Sequence, residues 1–358
     1  MKIISIIGAR PQFIKAGLVS KRLREKRVKE IILHTGQHYD FNMSEVFFRE
    51  LNIPKPDYYL GIGSGTHGEQ TGRMLIEVEK ALLKENPDLA IVYGDANSTL
   101  AGALAASKLH IPLAHVEAGL RSFNKNMPEE LNRILTDHIS DILFTPTDIS
   151  VENLRAEGIT KGVHKVGDVM FDAALETSKV VEDKKILKKY DLSQKDFILV
   201  TIHRAENTDN YKNMKEILDA ISEIAKSGIK VFFPLHPRTK RVINEYGIKM
   251  GSGNLTLSEP VSYMEMIALE KNAKVIVTDS GGVQKEGYFF KTPCIIPRNE
   301  TEWVELVQSG FNVLTGADKQ MIIDAVTEEC DGNGTISGWT DLYGGGMASE
   351  RIAEELIG

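Results

Sequence analysis

Short apolar runs alternate with helical stretches along the whole chain. In the first half, the runs that predict strands are residues 3–7, 31–34, 89–93, 112–116 and 142–145. Runs that are apolar throughout are typical of strands buried on both faces of a parallel sheet, and the stretches between them supply the covering helices. Pro11 follows the first run and suits the first turn of a helix, where its missing N–H costs nothing.

The same alternation restarts after a charged stretch, residues 179–195, which predicts a solvated helix face and a connector rather than a binding patch. The second series of apolar runs comprises residues 197–202, 231–235, 255–257, 275–278, 294–296 and 313–314. The sequence therefore predicts an α/β protein with two Rossmann-like, doubly wound domains of similar size. A glycine triplet, residues 344–346, precedes a last helical stretch, 347–357, and indicates a flexible joint.

Composition and charge narrow the class of protein. Hydrophobic residues make up 42% of the 358 residues and charged residues 26%, which is typical of a globular chain. The net charge of -7 attracts neither nucleic acid nor an anionic membrane in bulk. Two cysteines are too few for a disulfide framework or a four-ligand zinc site, and no apolar run is long enough for a signal peptide or a membrane span. We therefore expect a cytoplasmic protein.

Polar residues follow most of the predicted strands. In open α/β sheets, ligands bind beyond the carboxyl ends of the strands. The residues placed there are Arg10, Asp95, Glu117, His203, His236 and the segment 279–282. Each one taken singly could be a turn residue or a helix cap. Taken together, they predict a single cleft that is lined by both halves of the chain.

Ser280-Gly281-Gly282 is the best candidate for a phosphate site. Two glycines let backbone N–H groups approach an anion, and the helix that follows directs its positive end at it. Glu286 lies one to two turns into that helix, where its carboxylate could accept both hydroxyls of a ribose or could simply be a surface residue. Arg10 and Lys15 could add positive charge from the other half. These residues predict a bound nucleoside diphosphate.

Acidic side chains are the second unusual feature of the first half. Asp95, Glu117 and the pair Glu129-Glu130 come from consecutive loops. The helix dipole favours acidic residues in a first turn, so Glu129 and Glu130 could be structural. Glu117 has apolar neighbours, which predicts a partly desolvated carboxyl whose pKa is raised toward the general acid–base range.

Other catalytic signatures are missing from the sequence. It contains no Gly-x-Ser-x-Gly, Walker A or HExxH motif, and the glycine-rich segment 61–68 lacks the strand–turn–helix context of a dinucleotide fingerprint. That segment predicts a mobile loop instead. We therefore expect no metal and no cofactor.

The motifs that carry these residues resemble those of the non-hydrolysing UDP-N-acetylglucosamine 2-epimerases, in family order from residue 8 to about residue 290. The matching motifs are Gly8-Ala9-Arg10-Pro11 with Lys15, Gly94-Asp95, His115-Val116-Glu117-Ala118-Gly119-Leu120-Arg121, Pro128-Glu129-Glu130-x-Asn132-Arg133, Thr201-x-His203-Arg204, His236-Pro237 and Thr278-Asp279-Ser280-Gly281-Gly282-x-Gln284-x-Glu286.

The resemblance implies a fold like that of the GT-B glycosyltransferases, with two Rossmann-like domains facing a deep cleft and a C-terminal helix that crosses back to the first domain. It divides the chain into residues 1–170 plus 345–358 and residues 171–344. It further implies a homodimer that acts on a UDP-sugar in a polysaccharide or glycan pathway.

The resemblance also implies roles for the candidate residues. Asp95, Glu117 and Glu129 would handle the proton at C2 of the sugar, without assignment of base and acid. His203 would assist departure and return of UDP. The substrate-binding residues would be Arg10, Lys15, His236, Ser280, Gly281, Gly282 and Glu286.

Two departures from the family pattern keep alternatives open. The segment 37–40 has Tyr39 where many bacterial relatives carry arginine, which puts activation by a second UDP-sugar in doubt although Gln70 and Arg73 remain as ligands there. Trp303 also stands where many members carry arginine, so the contact to the sugar differs. The alternatives are a UDP-2,3-diacetamido-glucuronate 2-epimerase, a retaining GT-B glycosyltransferase, a hydrolysing epimerase and a catalytically silent sugar-nucleotide sensor.

Overall fold

The computed structural model describes residues 1–37, 55–248, 250, 253–332 and 339–358, without the side chains of Arg10 and Pro11. It divides into two compact units. Unit 1 comprises Met1–Ala173 and Asp341–Gly358, and unit 2 comprises Ala174–Thr340.

Unit 1 is built on a seven-stranded parallel sheet. Its strands are β1 (Lys2–Ile7), β2 (Lys29–His34), β3 (Tyr58–Tyr59), β4 (Leu89–Tyr93), β5 (Leu113–Val116), β6 (Ile142–Thr145) and β7 (Val163–Lys165). Its helices are α1 (Arg10–Glu25), α2 (His67–Glu85), α3 (Asn97–Lys108), α4 (Pro128–Ile139), α5 (Asp148–Ala156), α6 (Val169–Val180), which continues into unit 2, and α15 (Ala348–Ile357). The strand order is β3-β2-β1-β4-β5-β6-β7, which contains the Rossmann order.

The alternation of side chains along β1 explains how helices cover both faces of this sheet. Ile3 and Ile7 point to one face and pack with α1 and α15, whereas Ile4 and Ile6 point to the other and pack with α2 and α3. Successive residues of a strand face opposite sides, so a strand that is apolar at nearly every position needs a helical layer on each.

The last helix packs on unit 1, as predicted. Asp172 caps it by accepting hydrogen bonds from the Ala348 and Ser349 N–H groups at 3.0 and 2.7 Å. Gly344 has a φ of +83°, and a Cβ there would lie 2.9 Å from Cα of Gly167. The glycine therefore allows two backbone segments to pack closely, and the flexible joint stays a prediction.

Unit 2 repeats the architecture with six parallel strands. They are β8 (Phe197–Thr201), β9 (Lys230–Pro234), β10 (Leu255–Ser258), β11 (Val275–Thr278), β12 (Cys294–Ile296) and β13 (Asn312–Leu314), in the order β10-β9-β8-β11-β12-β13. The helices are α7 (Asp183–Lys189), α8 (Ala205–Thr208), α9 (Tyr211–Lys226), α10 (Pro237–Glu245), α11 (Tyr263–Asn272), α12 (Gly281–Phe289), α13 (Val304–Gln308) and α14 (Lys319–Cys330). Each predicted run lies within one residue of a strand in this unit.

Among the described residues, no helix is both long enough and apolar enough to cross a bilayer. The same residues contain no group of three or more His, Cys, Asp or Glu side chains that could hold a metal ion.

Candidate active site

Asp95 lies in the turn after β4 and is bound by an arginine from α4. Its Oδ2 accepts a hydrogen bond from Nη2 of Arg133 at 2.7 Å. Burial raises the pKa of Asp95; Arg133 and Lys15 oppose this effect, and the carboxylates of Glu117 and Glu129 add to it. The predicted carboxylates of Asp95, Glu117 and Glu129 thus lie within electrostatic range of one another. The predicted cation Lys15 and the additional cation Arg133 lie within the same range.

Glu117 follows β5 in a left-handed backbone conformation with a φ of +73°. A non-glycine residue rarely adopts this region, so the surrounding structure must hold it there. Its carboxylate forms an ion pair with Lys15, and both side chains are largely buried. A Cβ at Gly94 would lie 3.3 Å from the Glu117 carboxylate, so this glycine makes room for the pair.

A buried hydrogen-bond network lies next to these carboxylates. His115 contacts the Gly94 carbonyl through Nε2 and Asp137 through Nδ1, each at 2.7 Å. His115 therefore uses both ring nitrogens to connect the Asp95 turn with α4. Asp137 also accepts from the Gly119 N–H at 3.1 Å and from Arg121 at 2.7 Å. The network therefore joins the Asp95 turn, the Glu117 turn and α4.

The electrostatics of this network centre on Asp137. Burial acts to raise its pKa, but the hydrogen bond and charge of His115 together with the Arg121 guanidinium hold the pKa of Asp137 below its usual value. Sequence reasoning placed His115 and Arg121 in a motif but gave them no role, and it missed Asp137 altogether.

The structure separates the two adjacent glutamates of α4. Glu129 is exposed at the start of the helix. Glu130 is buried and accepts from the N–H groups of Ser122 and Phe123, each at 2.9 Å. Glu129 therefore remains open to a ligand, whereas Glu130 shapes the preceding loop.

Gln12 is a residue that sequence reasoning missed. Its Oε1 accepts from the N–H groups of Gly8 and Ala9 at 2.6 and 2.8 Å, and its Nε2 donates to the Tyr93 carbonyl at 2.7 Å. It thereby ties the turn before Arg10, the first residue of α1, to the end of β4. The position of Gln12 two residues after Arg10 is the only signal for it.

Gln70 is connected to the Asp95 turn through two asparagines. Its Oε1 accepts from Asn97 at 2.8 Å, and Asn132 donates to the Asn97 side chain at 3.2 Å and to the Asp95 carbonyl at 2.9 Å. Arg73 is exposed and lies 3.5 Å from Glu69. Residues 38–40, which carry the predicted departure from the family pattern, lie outside the described part of the chain.

In unit 2, His203 and His236 lie together at the ends of β8 and β9. Their ring centroids are 5.1 Å apart. Fully buried Asp279 accepts from the N–H groups of His203 and Arg204 at 2.9 and 3.0 Å. Asp279 was predicted to line the cleft, but these bonds give it a structural role in holding the His203 turn.

Ser280, Gly281 and Gly282 form the start of α12, as the phosphate prediction requires. A Cβ at Gly281 would lie 2.2 Å from Oε1 of Glu302, so no side chain fits there. A Cβ at Gly282 would lie 3.9 Å from the Ser280 hydroxyl and would meet nothing closer outside its own helix among the described residues, so this backbone is open to a ligand.

A charged cluster that the sequence did not predict lies beside this helix. Arg298 and Arg204 approach the Glu302 carboxylate at 3.1 and 3.4 Å. Lys285 places its ammonium 4.0 Å from the ring centroid of Trp303, and both side chains are buried. At position 303, where many relatives carry arginine, this chain therefore has a tryptophan whose ring contacts Lys285.

Glu286 is only 6% exposed, which excludes the interpretation as a surface glutamate. It lies against Glu270 of α11, a residue that sequence reasoning missed because it belongs to no motif.

Two Rossmann-like units, a helix that begins with an open glycine backbone and a cluster of carboxylates are typical of a nucleotide-sugar enzyme of GT-B-like fold. The comparisons with known proteins narrow this class. The family model described as UDP-N-acetylglucosamine 2-epimerase matches residues 21–357. The chain belongs to this family, and the predicted isomerase class is confirmed.

Three relatives illustrate the similarity. A protein of Methanococcus maripaludis named UDP-N-acetylglucosamine 2-epimerase homolog is 54% identical, over 99% of both chains. A Pseudomonas aeruginosa protein named UDP-2,3-diacetamido-2,3-dideoxy-D-glucuronate 2-epimerase is also 54% identical, over 99% of both chains. The crystal structure of Methanocaldococcus jannaschii UDP-GlcNAc 2-epimerase in complex with UDP-GlcNAc and UDP is 46% identical with a TM-score of 0.90, covering 100% of this chain and 99% of that one.

Proposed function

We propose that this protein interconverts UDP-N-acetylglucosamine and UDP-N-acetylmannosamine by inverting C2 of the sugar. The observation that carries the proposal is the cluster of Asp95, Glu117 and Glu129 around two cations, Lys15 and Arg133. The family membership of the chain supports it.

The C2 proton has no adjacent carbonyl, so a carboxylate acting alone cannot remove it, and inversion requires proton-transfer groups on both faces of C2. General acid–base catalysis contributes only about 10²–10⁴-fold, so the leaving group must take part. UDP departs from C1 with the bonding electron pair, and a carboxylate takes the C2 proton, which leaves a 2-acetamidoglucal. A proton added to the opposite face of C2 and return of UDP to C1 give the epimer.

We assign the proton transfers jointly to Asp95, Glu117 and Glu129. The ion pair with Lys15 holds the Glu117 carboxylate in place. Burial raises the pKa of Asp95, and perturbed carboxyl groups of this kind are typical of proton-transfer sites. No separate base and acid are assigned among the three.

UDP is the part of the substrate that unit 2 would hold. The Ser280 hydroxyl and the N–H groups of Gly281 and Gly282 bind the diphosphate, and Glu286 accepts the ribose hydroxyls. His203 stabilises departing UDP and His236 packs beside it.

Proton NMR of UDP-N-acetylglucosamine with the pure protein in D2O tests the proposal. We expect the epimer to form with deuterium at C2. Product without deuterium at C2 excludes elimination, free N-acetylmannosamine with UDP indicates a hydrolysing enzyme, and binding without any turnover indicates a sensor. A retaining glycosyltransferase would not form the epimer from this sugar nucleotide alone. Glu152→Gln, an exposed carboxylate of unit 1, is the matched control for the active-site variants.

A second candidate substrate is UDP-2,3-diacetamido-glucuronate. The Pseudomonas relative that carries this name is 54% identical, and the Lys285–Trp303 contact changes the segment assigned to the sugar. Parallel measurements of kcat/KM on the two UDP-sugars decide between them. A ratio above about 100, equal to about 2.7 kcal/mol of discrimination, identifies the true substrate.

We further propose that the protein is a homodimer. Unit 1 exposes Ile76 and Leu83 on α2 and Leu131 and Leu135 on α4, and α3 packs beside both helices. Exposed apolar ridges of this kind fit a second copy of the chain. Light scattering should give twice the 39.8 kDa mass, and Leu131→Glu with Leu135→Glu should halve it.

We also propose a cytoplasmic location and a role in polysaccharide synthesis. Cys294 and Cys330 are both free, which fits a reducing compartment. Cell fractionation with an antibody, and glycan composition after gene deletion, test the two statements separately.

A further inference from the structure

Two buried carboxyl groups meet inside unit 2. Glu270 lies near the end of α11 with 0% exposure, and Glu286 lies in α12 with 6% exposure. Their side chains are within hydrogen-bonding contact of each other. Among the described residues, no other N–H or O–H group reaches either carboxyl oxygen of Glu270. The contact with Glu286 therefore accounts for the presence of a buried carboxyl group at position 270.

Within the described part of the chain, no cation lies within ion-pair distance of Glu270. Lys271, next to Glu270, forms an ion pair at 2.8 Å with Asp183, the first residue of α7. Lys285, next to Glu286, lies over the ring of Trp303. Cys294 of β12 is a further neighbour of Glu270, and burial raises the pKa of its thiol well above its usual range. The thiol is therefore neutral and brings no charge to Glu270.

Two carboxylates in contact away from water repel each other and lose their hydration, so the pair keeps a proton. Burial, followed by the adjacent Glu286 carboxylate, raises the pKa of Glu270 well above its usual value. One proton turns the repulsion into a charge-assisted hydrogen bond. This bond exists only when one partner is protonated, since two ionised carboxylates have no donor.

We propose that Glu270 is a neutral carboxylic acid and a positioning residue, whose O–H donates to Glu286 and orients the carboxylate that accepts the ribose hydroxyls. The inference rests on the proposed function of Glu286 as the ribose ligand. A ligand that accepts two hydroxyls must be ionised, so the shared proton belongs to Glu270. A lysine in this position would also orient Glu286 but would cancel its charge, whereas a neutral acid leaves the charge available to the ribose.

Calorimetric titration with UDP and 2′-deoxy-UDP tests this role on Glu270→Gln, Glu270→Leu and Glu286→Gln. The glutamine at position 270 keeps a donor, so we expect UDP affinity within about 2-fold of the wild type. The leucine removes the donor, so we expect UDP affinity to fall about 10-fold while 2′-deoxy-UDP affinity changes little. The melting temperature of Glu270→Leu should not fall, because a buried carboxyl group is replaced by an apolar one. A residue that only stabilised the fold would not separate stability from ribose recognition in this way.

The outcomes distinguish this inference from the proposed function. If Glu286→Gln binds UDP and 2′-deoxy-UDP as the wild type does, the ribose role of Glu286 fails and the role of Glu270 fails with it. If Glu286→Gln loses UDP affinity but Glu270→Leu does not, only the positioning role is overturned.

Infrared spectroscopy supplies a test that does not depend on the leucine variant. At about pH 7 the wild type should show a protonated carboxyl band in D2O that Glu270→Gln lacks, because buried glutamic acids can retain their proton to about pH 8. Identical spectra in this region would overturn the proposal.

Discussion

Asp95 and Arg133 are joined at 2.7 Å although they differ sharply in exposure, since 39% of the aspartate side chain is exposed against 6% of the arginine side chain. Arg133 holds the aspartate from the buried side and leaves the opposite side of the carboxylate accessible. The relationship gives Asp95 a fixed orientation and an accessible carboxylate edge, both of which proton transfer to a bound sugar requires.

Replacing Arg133 by glutamine should slow turnover and shift its pH dependence. The guanidinium opposes the rise in the pKa of Asp95, so its loss raises that pKa further. The limb of the kcat–pH profile that Asp95 governs should move to higher pH, and kcat should fall about 10²-fold from the lost orientation. Arg155→Gln, an exposed arginine of α5, is the control. An unchanged profile would show that the ion pair does not tune the reaction.

The substitutions Glu129→Gln and Glu130→Gln should affect different properties, the first catalysis and the second stability. Glu129→Gln should lower kcat by about 10²–10⁴-fold at unchanged melting temperature, because it removes a group that exchanges protons. Glu130→Gln weakens the bonds to Ser122 and Phe123 and should cost about 1–3 kcal/mol of unfolding free energy, with activity per folded molecule changed only a few-fold. Kinetics and thermal unfolding of both variants check the contrast, which is contradicted if Glu130→Gln is the inactive one.

Gly281 and Gly282 should separate folding from phosphate binding. Gly281→Ala places a methyl group on the Glu302 carboxylate and should lower both the melting temperature and UDP affinity. Gly282→Ala meets nothing closer than 3.9 Å, so it should leave the melting temperature unchanged while it weakens UDP binding about 10-fold, by blocking the approach of phosphate. Normal UDP affinity in Gly282→Ala would move the diphosphate away from this helix.

The pair Glu270–Glu286 should make stability depend on pH. The pKa of Glu270 is raised in the folded state, so its contribution is fully present below its unfolded pKa of about 4.3 and is lost as the pH rises. The folded protein then retains a proton that the unfolded chain gives up. Denaturant unfolding should be measured for the wild type and Glu270→Gln between about pH 5 and about pH 8. The free energy of unfolding of the variant, relative to that of the wild type, should increase as the pH rises. A constant difference would mean that Glu270 is ionised when folded.

The architecture could be predicted from the chain because its central strands are apolar on both faces. The edge strands β3 and β7 were not predicted, since they have only two and three residues and no apolar run marks them. The charged stretch 179–195 predicts a solvated helix face and a connector. It contains α7, whose lysines lie on the surface.

The site was harder to predict where its contacts come from distant segments. Glu129 and Glu130 are equivalent in sequence, and only the fold of the loop before α4 assigns one to Ser122 and Phe123. His115 and Asp137 are 22 residues apart, and Glu270 and Glu286 lie on different helices, so both contacts depend on packing. No periodicity in a single chain encodes that information.

The capping of α15 by Asp172 has a consequence for synthesis. Val19 and Leu23 of α1 pack against Ile352 and Leu356, which are synthesised after the whole of unit 2. Unit 2 is continuous and can fold as soon as it emerges, whereas unit 1 keeps an apolar strip of α1 uncovered until α15 has been made. At about 5–20 residues per second, that strip stays open to chaperones for tens of seconds, so unit 1 is completed only after unit 2.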